Sequence, residues 1–286
     1  MEISINDKPA DITLDTEKNL GDILSGIEQW ISPSGNRIRA VSVNGVDLGD
    51  SLSEAFNKDI REISKLDITV SSWRELAAEA LVDLDETCVT YSNALFEERG
   101  GIAAAWEKSP AARFLASDIS DLYSLADRAF SGEGLSPGDL AVITEERLRE
   151  ITDPGGEMAG SETLVRIVAA RMQELPLDMQ TGKDARAAET IQHFAHLGEK
   201  LFRIFAILKT GGLTVDSFFV DGTPARTFID EFNAVLDELS AAYENKDTVL
   251  VGDLAEYEMA PRLLKFFDAL KNFPGTQFRF SAVPSP

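Results

Sequence analysis

Residues 65–84 read Lys65-Leu66-Asp67-Ile68-Thr69-Val70-Ser71-Ser72-Trp73-Arg74-Glu75-Leu76-Ala77-Ala78-Glu79-Ala80-Leu81-Val82-Asp83-Leu84. The apolar period changes inside this stretch. Leu66, Ile68 and Val70 alternate with polar residues, the mark of a half-buried strand. Trp73, Leu76, Ala77, Ala80, Leu81 and Leu84 recur at helical spacing. The change separates a strand-rich front of about 71 residues from a long helical remainder. The expected class is therefore α+β, a small sheet domain followed by an all-α helical-bundle region.

Working back from Lys65, the front carries a full set of elements. Ile3 and Ile5, then Ile12 and Leu14, flank the turn Asn6-Asp7-Lys8-Pro9 and predict a hairpin. Leu20, Ile23, Leu24, Ile27, Trp30 and Ile31 predict a helix over 17–32, ended by Pro33-Ser34-Gly35-Asn36. Ile38, Ala40 or Val41, and Val43 predict a third strand, closed by Asn44-Gly45, whose residues tolerate positive φ. Leu52 and Phe56 suit a short helical turn before the final strand.

This strand-strand-helix-strand-strand order resembles the β-grasp, or ubiquitin-like, fold over about the first quarter of the chain. The resemblance lies in topology. Ubiquitin-like modifiers and sulfur carriers act through a free carboxyl-terminal Gly-Gly. Here the last strand runs into Ser72 and Trp73 with no Gly-Gly. The resemblance therefore implies recognition of a partner by a sheet face or edge, and not conjugation.

Forward from Trp73, one helical face continues through Cys88, Tyr91 and Leu95 toward Gly100-Gly101, expected as its stop. Ser109-Pro110 opens a second helix through Phe114, Leu115, Ile119, Leu122 and Leu125. Ser136-Pro137 opens a third, and Asp153-Pro154-Gly155-Gly156 breaks the chain. A fourth helix is expected to end at Pro176, with Gln180-Thr181-Gly182 as a linker, and a fifth fills 185–210 before Gly211-Gly212. Leu213 to Val220 reads as a strand or a buried loop. Thr223-Pro224 caps a sixth helix with the stripe Phe228, Ile229, Phe232, Val235, Leu236, Leu239 and Tyr243. A seventh spans 248–271 and is expected to kink at Pro261. Gln277-Phe278-Arg279-Phe280 is a candidate extra strand in a tail over 275–286. Tyr243-Glu244-Asn245-Lys246-Asp247 with Val249 to Glu258 resembles a helix-hairpin pattern of uncharacterised bacterial helical proteins, which implies fold only. The expected divisions are 1–71, 72–182, 183–274 and 275–286, the two helical parts being separate or continuous.

Charge narrows the function classes. The formal net charge is −22, of which residues 1–72 carry −6, 73–182 carry −12 and 183–286 carry −4. Such a surface repels phosphates, so nucleic acid and anionic membranes are not expected partners, and a basic protein is. The start, Met1 to Asp7, lacks the basic-then-apolar pattern of a signal peptide. The longest apolar stretch near Leu201 to Leu208 is interrupted by Arg203. One cysteine, Cys88, permits no internal disulfide and reads as a small buried hydrophobe. The expected location is cytoplasmic.

Candidate chemistry is sparse. Glu189, His193, His196 and Glu199 fall within about 120° of one another on the fifth helix, a metal-like spacing. The apolar residues Ile191, Phe194, Leu201, Phe202 and Phe205 lie opposite, so the stripe is expected to face solvent and no metal or cofactor is assigned. Asp83, Asp85 and Glu86, with Glu97 and Glu98, read as solvated acidic clusters. Lys209-Thr210-Gly211-Gly212 has P-loop letters but closes a helix where a phosphate cradle opens one. No G-x-S-x-G, H-E-x-x-H or C-x-x-C occurs. The phenylalanines at 202, 205, 218, 219, 228, 232, 266 and 267 read as core, or as a groove for an amphipathic segment.

The expectation is a non-enzymatic interaction protein, adaptor or chaperone-like. It docks its partner through the third and fourth strands (Val41, Val43, Asn44) and the acidic helices (Asp83, Glu86, Glu97, Glu98). The alternatives are a self-assembling helical protein that forms a homodimer and a carboxylate/His metal enzyme.

Overall fold

The computed structural model describes residues 1–14, 16–210 and 217–277. The fold is α+β, and the described residues divide into two units. One is built mainly from Met1–Glu145; the other comprises Glu146–Lys209 and the described residues after 216.

In the first unit, β1 (Glu2–Ile5) pairs antiparallel with β2 (Lys8–Pro9) and parallel with β5 (Lys65–Ser72). β3 (Asn36–Val43) lies antiparallel to β5 and to β4 (Val46–Asp47), giving the order β2-β1-β5-β3-β4. Helix α1 (Leu20–Ile31) starts at a capping box, Asn19 and Asp22 each accepting from the other's backbone N–H. Its Leu20, Ile23, Leu24, Ile27 and Ile31 pack against Ile3, Val41, Val43, Leu66 and Ile68 in one core. A register shift between Ile38 and Ala40 turns Arg39 outward, where it pairs with Glu79 at 3.1 Å. A short turn, α2 (Leu52–Ala55), precedes the last strand.

The hairpin is shorter than its alternation predicts. The named strand ends at Pro9; Ala10 N–H still donates to Ile3 O at 2.9 Å, and the chain then turns, Ile12 N–H donating to Ala10 O at 3.1 Å, so Ile12 and Leu14 leave the ladder.

β5 passes into α3 (Trp73–Asn93) through a second capping box, Ser72 with Glu75. Trp73 Nε1 donates to Asp118 at 3.0 Å and fixes α3 to α5 (Pro110–Asp118). Two boundaries differ from the sequence reading. Gly100-Gly101 lies inside α4 (Phe96–Glu107), and the break comes at Ala94–Leu95. There both residues are extended, and Glu98 accepts the Leu95 N–H at 3.1 Å. Local capping thus outweighs the roughly 1 kcal/mol that each helical glycine costs. The second helix is two, α5 and α6 (Ser120–Ser131), hinged at Ile119. The third, α7 (Pro137–Thr152), starts where Ser136-Pro137 placed it, and the unit boundary falls within it.

In the second unit α8 (Pro154–Gln180) runs through Pro176. Leu175 and Asp178 on either side are buried, so packing of the last turn offsets the ~3 kcal/mol cost of an interior proline. A tight turn with Gly182 at φ 73° leads into α9 (Asp184–Thr210). β6 (Phe219–Val220) and β7 (Thr223–Pro224) form a small hairpin about Asp221-Gly222, both with positive φ. α10 (Ala225–Glu244) and α11 (Thr248–Asp253) follow. A π-helical turn over Leu254–Met259 then leads into α12 (Ala260–Lys271), which has Pro261 in its first turn. The expected kink is thus a local widening just before the proline. Phe194, Phe205, Phe218, Phe228, Phe232, Phe266 and Phe267 are buried in one core with Phe202 against it, while Phe219 is exposed. Gly211-Gly212, Leu213 to Asp216 and Phe278 to Phe280 lie outside the described residues.

Candidate groove beside the edge strand

Within the first unit, a groove of about 660 Å³ lies between α1 and the segment from β2 to Leu14. Ile5, Ile12, Leu14, Ile23 and Ile27 make its floor and walls; Lys8, Asp11 and Glu17 stand at its rim. Trp30 lines the same groove and is 69% exposed. The reason is angular. On α1 Trp30 falls one heptad after Ile23, at the flank of the apolar arc, where the floor of the sheet has already ended at the short β2. The sequence reading placed Trp30 in the core stripe; it is instead a large aromatic surface beside a sheet edge. Two-residue edge strands limit open pairing.

The expected docking residues separate. Val41 and Val43 are buried against α1, because the pleat turns them inward, so they pack the core and present no docking face. Asn44 sits at φ 53° with its side chain committed: Oδ1 accepts from the N–H groups of Ser64 and Lys65 and the hydroxyl of Ser64, and Nδ2 donates to Glu62 O. It is a turn-fixing residue. Asp83, Glu86, Glu97 and Glu98 are all exposed on α3 and α4.

Glu189, His196 and Glu199 are exposed on α9 and His193 is half-buried. Among the described residues no group of three or more His, Cys, Asp and Glu is arranged to hold a metal ion. Cys88 is fully buried, and burial, with a smaller contribution from Asp85, pushes its thiol up to about 12. It is no nucleophile at neutral pH.

The second unit holds a charged network that sequence reading missed. Glu150 is fully buried and accepts two bonds from Arg203, at 3.0 Å from Nε and 2.7 Å from the terminal nitrogen. Lys200 bridges Glu146 at 3.0 Å and Glu157 at 2.6 Å, and Arg149 reaches Glu157 at 2.9 Å. Burial disfavours the Lys200 charge, but the two carboxylates outweigh it and raise its pKa. Burial likewise opposes the Glu146 charge, and Lys200 outweighs it and lowers that pKa. The network ties α7, α8 and α9 together.

Two families match parts of the chain. One, described as the TP0873 N-terminal domain, matches residues 1–72. The other, a domain of unknown function (DUF8042), matches residues 158–269. The sequence is similar to an "Uncharacterized protein" of Treponema pallidum (strain Nichols), 30% identical over 136 residues, 48% of this chain. The chain spans 60% of that relative's length. No solved structure matches. Among the described residues no helix is long and apolar enough to cross a membrane. The chain is thus similar at its front to the TP0873 N-terminal domain and through much of its second unit to DUF8042.

Proposed function

We propose that the protein is a non-enzymatic cytoplasmic interaction module, adaptor or chaperone-like, whose front is a β-grasp domain that captures an extended segment of a partner. The order β2-β1-β5-β3-β4, with the parallel β1–β5 pair at its centre and α1 across one face, supports the β-grasp reading. The observation that carries the function is Trp30: a 69% exposed indole lining an apolar groove beside an edge strand. An extended peptide laid there would place alternate apolar side chains in the groove beside the edge strand. Trp30 would supply a rigid anchor with large contact area.

Capture from native lysate by the full chain and by its Trp30→Ala variant tests this. The expected result is a protein retained by the parent chain and lost with the variant. Identical captured sets would remove the groove from the account.

A further inference from the structure

The first unit carries a second exposed apolar surface, away from the groove residues. On α3, Val82 and Val89 are 37% and 52% exposed and lie seven residues apart, on one helical stripe. Beyond the break at Ala94–Leu95, at the corner into α4, Phe96 is 86% exposed beside Leu95 at 69%. Apolar residues scattered singly on a surface need no explanation; an exposed helical pair followed at the adjoining corner by an exposed Leu-Phe pair does. Acids flank the stripe. Residues 75–98 hold seven carboxylates and no lysine or arginine. Glu79 is paired with Arg39, and Glu75 and Glu98 cap helices. Asp83, Glu86 and Glu97 have no ion-pair partner among the described residues and are exposed beside Val82, Val89 and Phe96.

We infer that this α3–α4 face is a docking site for a basic amphipathic helix of a partner protein. Such a helix would set its apolar seam on Val82 and Val89, with its end against Leu95 and Phe96 at the corner, and its lysines or arginines against Asp83, Glu86 and Glu97. Charge selects this occupant. A second copy of the same face would bring like charges together, and an anionic lipid surface would be repelled. Val82 and Val89, one heptad apart on α3, form the kind of stripe on which the apolar seam of a second helix packs. The inference rests on the reading of the chain as an interaction module but uses a different surface from the Trp30 groove.

The probe is a synthetic 21-residue helical peptide with leucine at a and d heptad positions and lysine elsewhere, followed by fluorescence anisotropy with the full chain. Val82→Ser/Val89→Ser/Phe96→Ser leaves net charge unchanged and is expected to weaken binding about tenfold or more, as loss of central apolar anchors does. Asp83→Asn/Glu86→Gln/Glu97→Gln is expected to weaken binding and flatten its salt dependence. Leu164→Ser/Ile167→Ser removes two exposed apolar residues of the second unit and is expected to bind like the parent, as is Trp30→Ala. All substitutions are at exposed positions, and circular dichroism checks that each variant folds. Equal binding by the serine triple variant and the parent would overturn the inference. So would loss of binding in Trp30→Ala alone, which would place the peptide in the groove and leave the interaction reading standing. Concentration-dependent sedimentation abolished by the serine triple variant would also overturn it, by making the occupant a second copy.

Discussion

Removing Arg203 isolates Glu150, a wholly buried acidic side chain of the second unit. Glu150 has no solvent exposure and takes both its strong hydrogen bonds from Arg203, at 3.0 and 2.7 Å. In Arg203→Ala the carboxylate must stay charged without a partner or take up a proton. Breaking a buried pair from one side costs about 3–5 kcal/mol. For a unit of this size each kcal/mol moves the midpoint by roughly 3 °C, so the loss is roughly 10 °C in the melting of that unit. Removing both partners differs in sign. Glu150→Leu with Arg203→Met fills the site with apolar groups and is expected to be neutral or stabilising by about 1–4 kcal/mol. Differential scanning calorimetry of the full chain reads both variants, because the two units can melt as separate transitions. The reasoning fails if Arg203→Ala costs under about 1 kcal/mol, well below the buried-pair range. It fails equally if the double variant falls as far as the single one.

A Cβ on Gly252 would stand 2.9 Å from the Pro176 ring, so Gly252→Ala is expected to lower stability by about 1–3 kcal/mol through overpacking, read by urea midpoint. Cys88, fully buried with its thiol pushed up to about 12, should resist Ellman's reagent at pH 8 in the folded chain and react on unfolding. The Glu146–Lys200 pair bounds stability in pH: the lowered Glu146 contributes above its unfolded value near 4.3 and is lost as pH falls through its folded value, while the raised Lys200 contributes below about 10.4 and is lost as pH rises through its folded value. Urea midpoints at intervals from pH 3 to 11 should therefore show a plateau between those limits. Exchanging Glu146→Gln should shrink the acid-side loss.

Much of the fold was legible because it rests on local periodicity. The switch of period at Ser72–Trp73 coincides with the start of α3, and the Ser136-Pro137 signal with the start of α7. What local pattern could not show were the outcomes decided by tertiary packing. Gly100-Gly101 and Pro176 are strong breakers in isolation, yet both lie within helices. The choice between Ala40 and Val41 was unreadable, because a bulge at Arg39 shifts the strand's period. The candidate groove was half visible. Its walls, Ile12, Leu14, Ile23 and Ile27, were all marked as apolar positions. That Trp30 stands in solvent depends on where β2 ends, which alternation overestimated. The Glu150–Arg203 pair was hidden because partners 53 residues apart leave no spacing signal.

The most direct test of the account is the environment of Trp30 when a captured partner is bound. The three tryptophans separate cleanly, since Trp73 and Trp106 are buried and Trp30 is exposed. Acrylamide quenching of the full chain therefore reports mainly on Trp30. On adding the captured partner, the account predicts a blue-shifted emission and weaker quenching, both absent in Trp30→Ala. A complex that forms while quenching stays unchanged would contradict it.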